Sequence, residues 1–194
     1  MADARVVGLV LAAGAGRRMG GPKALLRLSP TGPSLVEMAV ERLQVAGVAD
    51  VHVVVGSAAP NVTARAERAG GHVVEAPNWD EGMGASLRAG LDVLQDTDAR
   101  AVLLMLVDLP DVGVEVHERL LGAVDGDLDG VLARAAYDGR AGHPVLIGRD
   151  HWAPVRMHAT GDHGARDYLD RHRPHLVECG DLATGRDIDR PCDV

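Results

Sequence analysis

Two segments of this sequence are apolar almost from end to end, and they limit the folds that the chain can adopt. Residues 5–12 are apolar after Arg5, and residues 101–107 are apolar throughout. Runs of this kind are typical of central strands in a parallel sheet, because helices cover both faces of such a sheet. Both segments are therefore predicted to be central strands.

Around these strands, segments with helical spacing of apolar residues alternate with short apolar segments. Helices are predicted at 34–46, 61–69, 85–95, 114–124, 149–158 and 164–171. Further strands are predicted at 51–55, 72–75, 130–136, 143–147 and 175–179, the third and fourth paired through Asp138-Gly139-Arg140. The alternation indicates an α/β fold, a Rossmann-like, mostly parallel sheet sandwiched by helices with a small β-hairpin insertion. Because no linker or repeat interrupts it, residues 1–194 are expected to form one domain.

Composition excludes several classes of function. The net charge of −8 does not suit the phosphate backbone of a nucleic acid, although a local cationic cluster can still bind a small anion. Cys179 and Cys192 are too few for a disulfide framework, and the nine histidines lack zinc-ligand spacing. The chain begins without a basic leader, and residues 6–13 are too short to cross a membrane. We expect a cytoplasmic protein that binds neither nucleic acid nor membrane.

The glycine-rich loop after the first strand points to a phosphate site. Residues 11–23 read LAAGAGRRMGGPK, and Lys23 is the one lysine among 20 basic residues. Glycines let backbone N–H groups approach phosphates, and a lysine provides a compact point charge. In a parallel sheet such a loop also lies at the strand ends where ligands bind.

Two common phosphate loops do not fit. A dinucleotide fingerprint needs G-x-G-x-x-G leading directly into a helix and an acid ending the second strand. Here the third glycine is one residue late, at Gly20, and the second strand ends Val54-Val55-Gly56. A Walker A loop needs Gly-Lys-Ser/Thr, whereas this chain has Gly21-Pro22-Lys23-Ala24.

The loop instead resembles the signature L-A-A-G-x-G-x-R-M-G-x-P-K of the molybdenum cofactor nucleotidyltransferases, which belong to the broader group of nucleotide-diphospho-sugar transferase-like proteins. The segment from Asn78 to Leu87 is similar to the family's G-x-x-x-S-L element near the nucleotide. The resemblance implies that Arg18 and Lys23 contact the phosphates as catalytic residues. The nucleotide-binding residues that it implies, besides these two, are Leu11, Ala12, Ala13, Gly14, Gly16, Gly84 and Ser86.

Asp108 is the candidate for holding a metal ion. It follows the apolar strand at residues 101–107, where a carboxylate is unfavourable unless it meets water, donors or a cation. Mg²⁺ bridging the oxygens of a nucleoside triphosphate (NTP) would supply that cation. The molybdenum cofactor nucleotidyltransferases, which this chain resembles, have a catalytic, metal-binding aspartate at the position of Asp108. In that family Gln-Pro usually follows the aspartate, whereas this chain has Leu109-Pro110. Its D-I-D-T-P-x-D ending is similar to residues 187–193, so Asp187 or Asp189 is expected to complete the site.

Two further segments resemble the family's acceptor side. Residues 137–145 are similar to the hairpin G-x-x-G-H-P-V that faces the second substrate, and residues 161–166 are similar to G-D-x-G-A-R. For Arg166, bidentate binding of an anionic substrate and an ordinary ion pair are equally open. The substrate-binding residues implied are Gly142, His143, Pro144, Asp162 and Arg166.

The resemblance implies Mg²⁺-dependent transfer of CMP from CTP to molybdopterin, a phosphorylated small molecule, with release of pyrophosphate. Leu11–Gly14 with Pro22-Lys23 resembles the cytidylyltransferase branch, whereas guanylyltransferases, which use GTP, favour L-A-G-G. Some actinobacterial relatives of the family are NAD(P)H-dependent reductases of a nicotine-derived pigment. For NAD this alternative is disfavoured, because the ribose-binding acid is missing after Val55. A non-catalytic cofactor chaperone serving a molybdoenzyme partner is the other alternative, and Asp108 together with the lysine disfavours it.

Overall fold

One seven-stranded sheet forms the centre of the protein in a computed structural model, which describes residues 6–124 and 126–193. The strand order is β3-β2-β1-β4-β6-β5-β7. The first four strands are mutually parallel, β6 is antiparallel to both of its neighbours, and β5 and β7 are parallel to each other. The strands are β1 (Val6–Leu11), β2 (Val51–Val55), β3 (His72–Glu75), β4 (Ala101–Leu106), β5 (Leu132–Tyr137), β6 (Arg140–Gly148) and β7 (His175–Glu178).

Six α-helices cover the two faces of this sheet, and short 3₁₀ turns connect several elements. The helices are α1 (Leu35–Val45), α2 (Ala59–Arg68), α3 (Met83–Leu94), α4 (Val114–Gly122), α5 (Trp152–His158) and α6 (Arg166–His172). Within the part of the chain that the structure describes, none of the helices is long and apolar enough to cross a membrane.

The core forms two aliphatic layers, one on each face of the sheet. Helices α1, α2 and α4 pack on one face, and α3, α5 and α6 pack on the other. Every residue of β1 is buried, as are five of the six residues of β4, which confirms the prediction of two central strands. The Rossmann-like, mostly parallel fold inferred from the sequence is also confirmed.

The predicted hairpin is present, and it belongs to the main sheet. Strand β6 pairs along β4, and β5 pairs with β6 and β7, so the hairpin extends the parallel half into a mixed seven-stranded sheet. Most element ends fall within two residues of their predicted positions. Helix α2 begins two residues earlier than predicted because Pro60, which lacks an N–H, is accommodated in the first turn.

The predicted start of α1 is confirmed. The Ser34 backbone N–H donates to Glu37 Oε2 at 2.8 Å, and the Ser34 hydroxyl lies 2.5 Å from the same oxygen. Burial alone would raise the pKa of Glu37, but these hydrogen bonds and the charge of Arg65 lower it. A capped N-terminus of this kind stabilises a helix by about 1 kcal/mol. The cap fixes the residue at which α1 begins after the segment that follows the first loop.

Candidate active site

A cleft of about 420 Å³ opens at the carboxyl ends of β1 and β4. The two strands pair in register through Leu11 and Leu106, so the loops that follow them begin side by side. The cleft is lined by residues 11–17 and 23–24, by five residues between 79 and 86, by residues 106–108, and by Asp162. The sheet thus brings together segments that are about 90 residues apart, at the edge where α/β proteins bind ligands.

Gly16 determines the shape of the first loop. Its φ angle is 57°, and a Cβ at this position would lie 1.9 Å from the carbonyl oxygen of Gly21. The Gly16 carbonyl accepts hydrogen bonds from the N–H groups of Met19 at 2.8 Å and Gly21 at 3.2 Å. Only glycine permits this close approach. The loop therefore curls back on itself and leaves the backbone of residues 13–16 along the cleft.

Lys23 lies between two carboxylates at the edge of the cleft. Its Nζ is 2.8 Å from Asp108 Oδ2 and 2.5 Å from Asp189 Oδ1. Burial alone would lower the pKa of Lys23, but hydrogen bonds and charges from both aspartates raise it. The hydrogen bond and charge of Lys23 in turn lower the pKa of Asp189. The sequence-predicted lysine and aspartate are thus in direct contact, and the lysine is held as a cation.

The chain end supplies the other acids of this cluster. Ile188 is buried in the core, and its N–H donates to the Asp108 carbonyl at 3.0 Å. Its neighbours Asp187 and Asp189 are more accessible, and oxygens of Asp108, Asp187 and Asp189 lie within 4.8 Å of one another. Three converging carboxylates match the hard oxygen ligands that Mg²⁺ prefers, so the residues present fit a divalent cation. The geometry retains both tail acids as candidates.

The two loop arginines differ in their relation to the cleft. The side chain of Arg18 is 78% exposed and reaches Asp189 only at 3.7 Å, whereas Arg17 lines the cleft. Sequence reasoning selected Arg18 and passed over its neighbour. Both residues belong to a 3₁₀ turn that follows the left-handed Gly16, where adjacent side chains diverge.

Helix α3 begins at the cleft, and two of its predicted residues have different surroundings. Ser86 is buried and lines the cleft. Gly84 does not line it: a Cβ there would lie 2.7–2.8 Å from the backbone of Ala159 and Thr160. This glycine permits close packing against the segment that leads to Asp162, which does line the cleft. Its absence of a side chain is explained by packing alone.

Trp79 is a cleft residue that the sequence reasoning missed. Its ring covers Gly56, because a Cβ on that glycine would lie 2.4 Å from the Trp79 Cγ. Gly56 follows β2, at the position where a dinucleotide-binding fold has its ribose-binding acid. Trp79 comes four residues after β3, and this spacing was the available signal that it belongs to the same sheet edge.

Most of the predicted acceptor residues lie outside the cleft lining. Asp162 lines the cleft, whereas Gly142, His143, Pro144 and Arg166 do not. The Tyr137 hydroxyl donates to the His143 carbonyl at 2.6 Å. Burial lowers the pKa of His143 to about 4, and the charges of Arg134 and Arg166 act in the same direction. This histidine is therefore neutral at pH 7 and has cations as neighbours.

Residues 8–176 match the MobA-like NTP transferase domain. The chain belongs to this family. Its members bind nucleoside triphosphates, and nucleotidyltransferases of this fold generally use a divalent metal. Those properties agree with a cleft lined by a glycine-rich loop, Lys23 and Asp108, with Asp187 and Asp189 clustered beside Asp108 outside the cleft lining.

One curated relative and two solved structures show how far the similarity extends, and the one below 25% identity shows the fold alone. The nicotine blue oxidoreductase of Paenarthrobacter nicotinovorans is 40% identical over 95% of this chain and 92% of that protein. Rv0371c of Mycobacterium tuberculosis superposes with a TM-score of 0.78 and 27% identity over 100% and 96% of the two chains, and it has also been crystallised with manganese. A nucleotidyl transferase from Methanothermobacter has a TM-score of 0.80 at 24% identity over 97% and 93% of the two chains.

Proposed function

We propose that the protein transfers CMP from CTP to the terminal phosphate of a molybdopterin-type acceptor in an Mg²⁺-dependent reaction. The observation that supports this most directly is the contact of Lys23 with Asp108 and Asp189 beside the glycine-rich loop. A polyphosphate in this cleft would meet backbone N–H groups, an ammonium group and a carboxylate cluster that suits a cation. The proposal places the reaction in the cytoplasm.

The proposed reaction is an in-line displacement at the α-phosphorus of CTP. An acceptor phosphate oxygen forms a bond to that phosphorus, and the bond to the bridging oxygen of the β-phosphate breaks. The electron pair of the broken bond leaves with pyrophosphate. Positioning and charge neutralisation suffice for such a step, so no covalent intermediate on the protein is required.

Each part of the cleft has a role in this proposal. Residues 11–14 and Gly16 line the nucleotide subsite, and Ser86 lies beside them. The N–H of Ala12 is donated to the Val54 carbonyl, so the backbone N–H groups of Gly14 and Gly16 are the ones that fix the nucleotide. Lys23 and Arg18 neutralise the phosphates and then the departing pyrophosphate. Asp108, with Asp187 or Asp189, would hold Mg²⁺, which neutralises charge on the phosphate oxygens when bound.

The choice of CTP over GTP depends on the first loop. Its L-A-A-G start and its Pro22-Lys23 end resemble the cytidylyltransferase branch. The first alternative is therefore a guanylyltransferase with the same acceptor and metal. The two differ only in the base, so a direct comparison of CTP with GTP separates them.

An NAD(P)H-dependent oxidoreductase is the second candidate, favoured by the 40% identity to nicotine blue oxidoreductase. The end of β2 has no acid for an NAD ribose, and Trp79 covers Gly56 there. A chaperone that delivers molybdenum cofactor to a molybdoenzyme would need no Lys23–Asp108 contact. These two features support nucleotidyl transfer over both alternatives.

Ligand-dependent thermal stability tests the proposal. Melting temperatures are measured with CTP, GTP, ATP and NADPH, each with and without Mg²⁺, for the wild type and for Lys23→Gln. CTP with Mg²⁺ is expected to raise the wild-type melting temperature most, and the increase should shrink in Lys23→Gln because one phosphate contact is lost. An increase with NADPH alone would refute nucleotidyl transfer, and one with GTP alone would refute the choice of CTP.

Turnover then separates an enzyme from a chaperone. Wild-type protein with CTP, Mg²⁺ and molybdopterin is expected to release pyrophosphate in proportion to the acceptor consumed. Arg68→Gln, which changes an exposed arginine of α2 away from both the cleft and the acceptor hairpin, is the matched control and should retain full activity. Binding of molybdopterin without pyrophosphate release would support the chaperone instead.

A further inference from the structure

Arg134 is a partly buried cation in β5, the strand next to the edge strand β7. It pairs with Val145 of β6, and its neighbours Ala133 and Ala135 are buried in the α1-α2-α4 layer. Because side chains alternate along a strand, Arg134 faces the opposite layer, on the side of α6. Its Nε donates to the Gly142 carbonyl at 3.1 Å, and burial lowers its pKa.

This arginine has no carboxylate in direct contact. Among the described residues, none brings a carboxylate oxygen within 4 Å of the guanidinium of Arg134 or of Arg166, and Asp170 acts on Arg134 only from a greater distance. The charge of Asp170 raises the pKa of Arg134, and the charge of Arg166 lowers it by less, so Arg134 has one distant acid and one further cation near it. Arg166 is exposed, whereas Arg134 is partly buried, and a partly buried charge without a counter-ion in contact is unfavourable.

His143 does not relieve this excess of positive charge. It lies near both arginines and is neutral at pH 7, and its buried Nδ1 has no hydrogen-bond partner. His143 comes two residues before Val145 in β6, and Val145 pairs with Leu104 of β4. Because the two strands are antiparallel, His143 lies towards the carboxyl end of β4, where Leu106 lines the cleft. Among the described residues, the group thus combines two guanidiniums that contact no carboxylate with an unpartnered imidazole nitrogen, beside the nucleotide cleft.

We propose that Arg134, together with Arg166, binds the phosphate monoester of the acceptor. A dianion would neutralise both guanidiniums, and the planar forks match phosphate oxygens bidentately. A carboxylate would neutralise only one of the two charges. This inference rests on the proposed function for the identity of the acceptor, and it adds a recognition residue to the acceptor side.

Calorimetry with phenyl phosphate tests the proposal without turnover. The wild type, Arg68→Gln and Lys23→Gln are expected to bind phenyl phosphate alike, and Arg134→Gln should bind it about tenfold more weakly or worse because a charge-assisted bidentate contact is lost. Benzoate should bind more weakly than phenyl phosphate to the wild type. Equal affinity of Arg134→Gln and wild type, or no binding to the wild type, would overturn the proposal.

The melting temperature without ligand provides a second test, because a ligand-binding role and a structural role of Arg134 predict changes of opposite sign. Arg134→Met removes an uncompensated charge and keeps an unbranched apolar side chain, so it should raise the melting temperature without ligand. A structural arginine would instead make this variant less stable. A lower melting temperature together with unchanged phenyl phosphate binding would therefore contradict a ligand-binding role.

Steady-state kinetics separate this inference from the proposed function. In Arg134→Gln the KM for molybdopterin should rise about tenfold while the KM for CTP stays within about twofold. If the wild type releases pyrophosphate and Arg134→Gln leaves the KM for molybdopterin unchanged, the inference fails and the function stands. If the wild type releases none but phenyl phosphate binding still needs Arg134, the function fails and the anion site stands.

Discussion

The nucleotide cleft and the acceptor side lie next to each other, yet they manage charge in opposite ways. In the cleft, Lys23 contacts Asp108 and Asp189, so the cation has counter-charges within the protein. On the acceptor side, neither Arg134 nor Arg166 has a carboxylate within 4 Å among the described residues, and Asp170 acts on Arg134 from a greater distance. The cation of the cleft is therefore neutralised by contact before any ligand binds, whereas the partly buried Arg134 gains a counter-ion in contact only when an anion binds.

This difference predicts which measured quantities should change when residues of the nucleotide cleft or of the acceptor side are substituted. Changes in the cleft are expected to alter the chemical step, because its charged groups act on the reacting phosphates. Changes on the acceptor side are expected to alter acceptor affinity and the response of stability to pH.

Asp108→Asn should have the largest effect. Loss of this carboxylate removes a candidate metal ligand and a partner of Lys23, so the rate of CMP transfer should fall about 10²–10³-fold, by analogy with loss of one preorganised electrostatic contact. Single-turnover kinetics at saturating Mg²⁺ measure the effect. Asp96→Asn, on the exposed surface after α3, is the matched control. A rate for Asp108→Asn within about threefold of the wild type would refute the role of the cleft acid.

His143→Gln should flatten the acid side of the stability curve. The folded-state pKa is about 4, below the ordinary value of 6.5, so the unfolded chain binds a proton first. The stability associated with neutral His143 is complete above pH 6.5 and is lost as the pH falls from about 6.5 to about 4. At about 1.4 kcal/mol for each pH unit between the two values, the loss is at most about 3–4 kcal/mol.

Urea denaturation at several pH values checks this prediction. The difference in unfolding free energy between pH 7 and pH 4 should be about 2–3 kcal/mol smaller in His143→Gln than in the wild type. His175→Gln, at an exposed position in β7, is the control and should follow the wild-type curve. Parallel curves for His143→Gln and the wild type would show that the acceptor side does not hold this histidine neutral.

The loop arginines should give the smallest effects. Arg18 is 78% exposed and its ion pair with Asp189 is long, so Arg18→Gln should weaken CTP binding only about twofold. Arg17 lines the cleft, and Arg17→Gln should weaken binding more, about fivefold. Titration calorimetry with CTP and Mg²⁺ compares the two variants. The reverse order would mean that the loop rearranges when the triphosphate binds.

Much of the fold and part of the cleft could be predicted because they depend on local sequence. The apolar runs of β1 and β4 indicated central strands, and a glycine-rich loop with Lys23 indicated a phosphate site at a strand end. The parallel topology then placed Asp108 on the same edge. The chain end could be assigned by resemblance, and Ile188 explains why its acids reach the cleft: its side chain is buried and its N–H is bonded to Asp108.

Other features depend on tertiary contacts that the sequence does not display. Arg134 reads as one polar residue in an alternating strand, and its importance arises only from α6 and β6 beside it. The choice between Arg17 and Arg18 depends on the direction of a 3₁₀ turn after a left-handed glycine. The place of Trp79 against Gly56 results from the pairing of β2 with β3. In each case neighbours distant in sequence determine the side chain's environment.

The contact of Lys23 with two carboxylates also has a practical consequence. Because the chain has only one lysine, an acylating reagent can react with a single ε-amino group, apart from an α-amino group. That amine is shielded and held protonated by its partners, so its acylation is slow while those contacts persist. Any compound that draws the aspartates away, or that covers the amine, changes the labelling rate. The mass of the intact protein then reports the occupancy of the cleft directly.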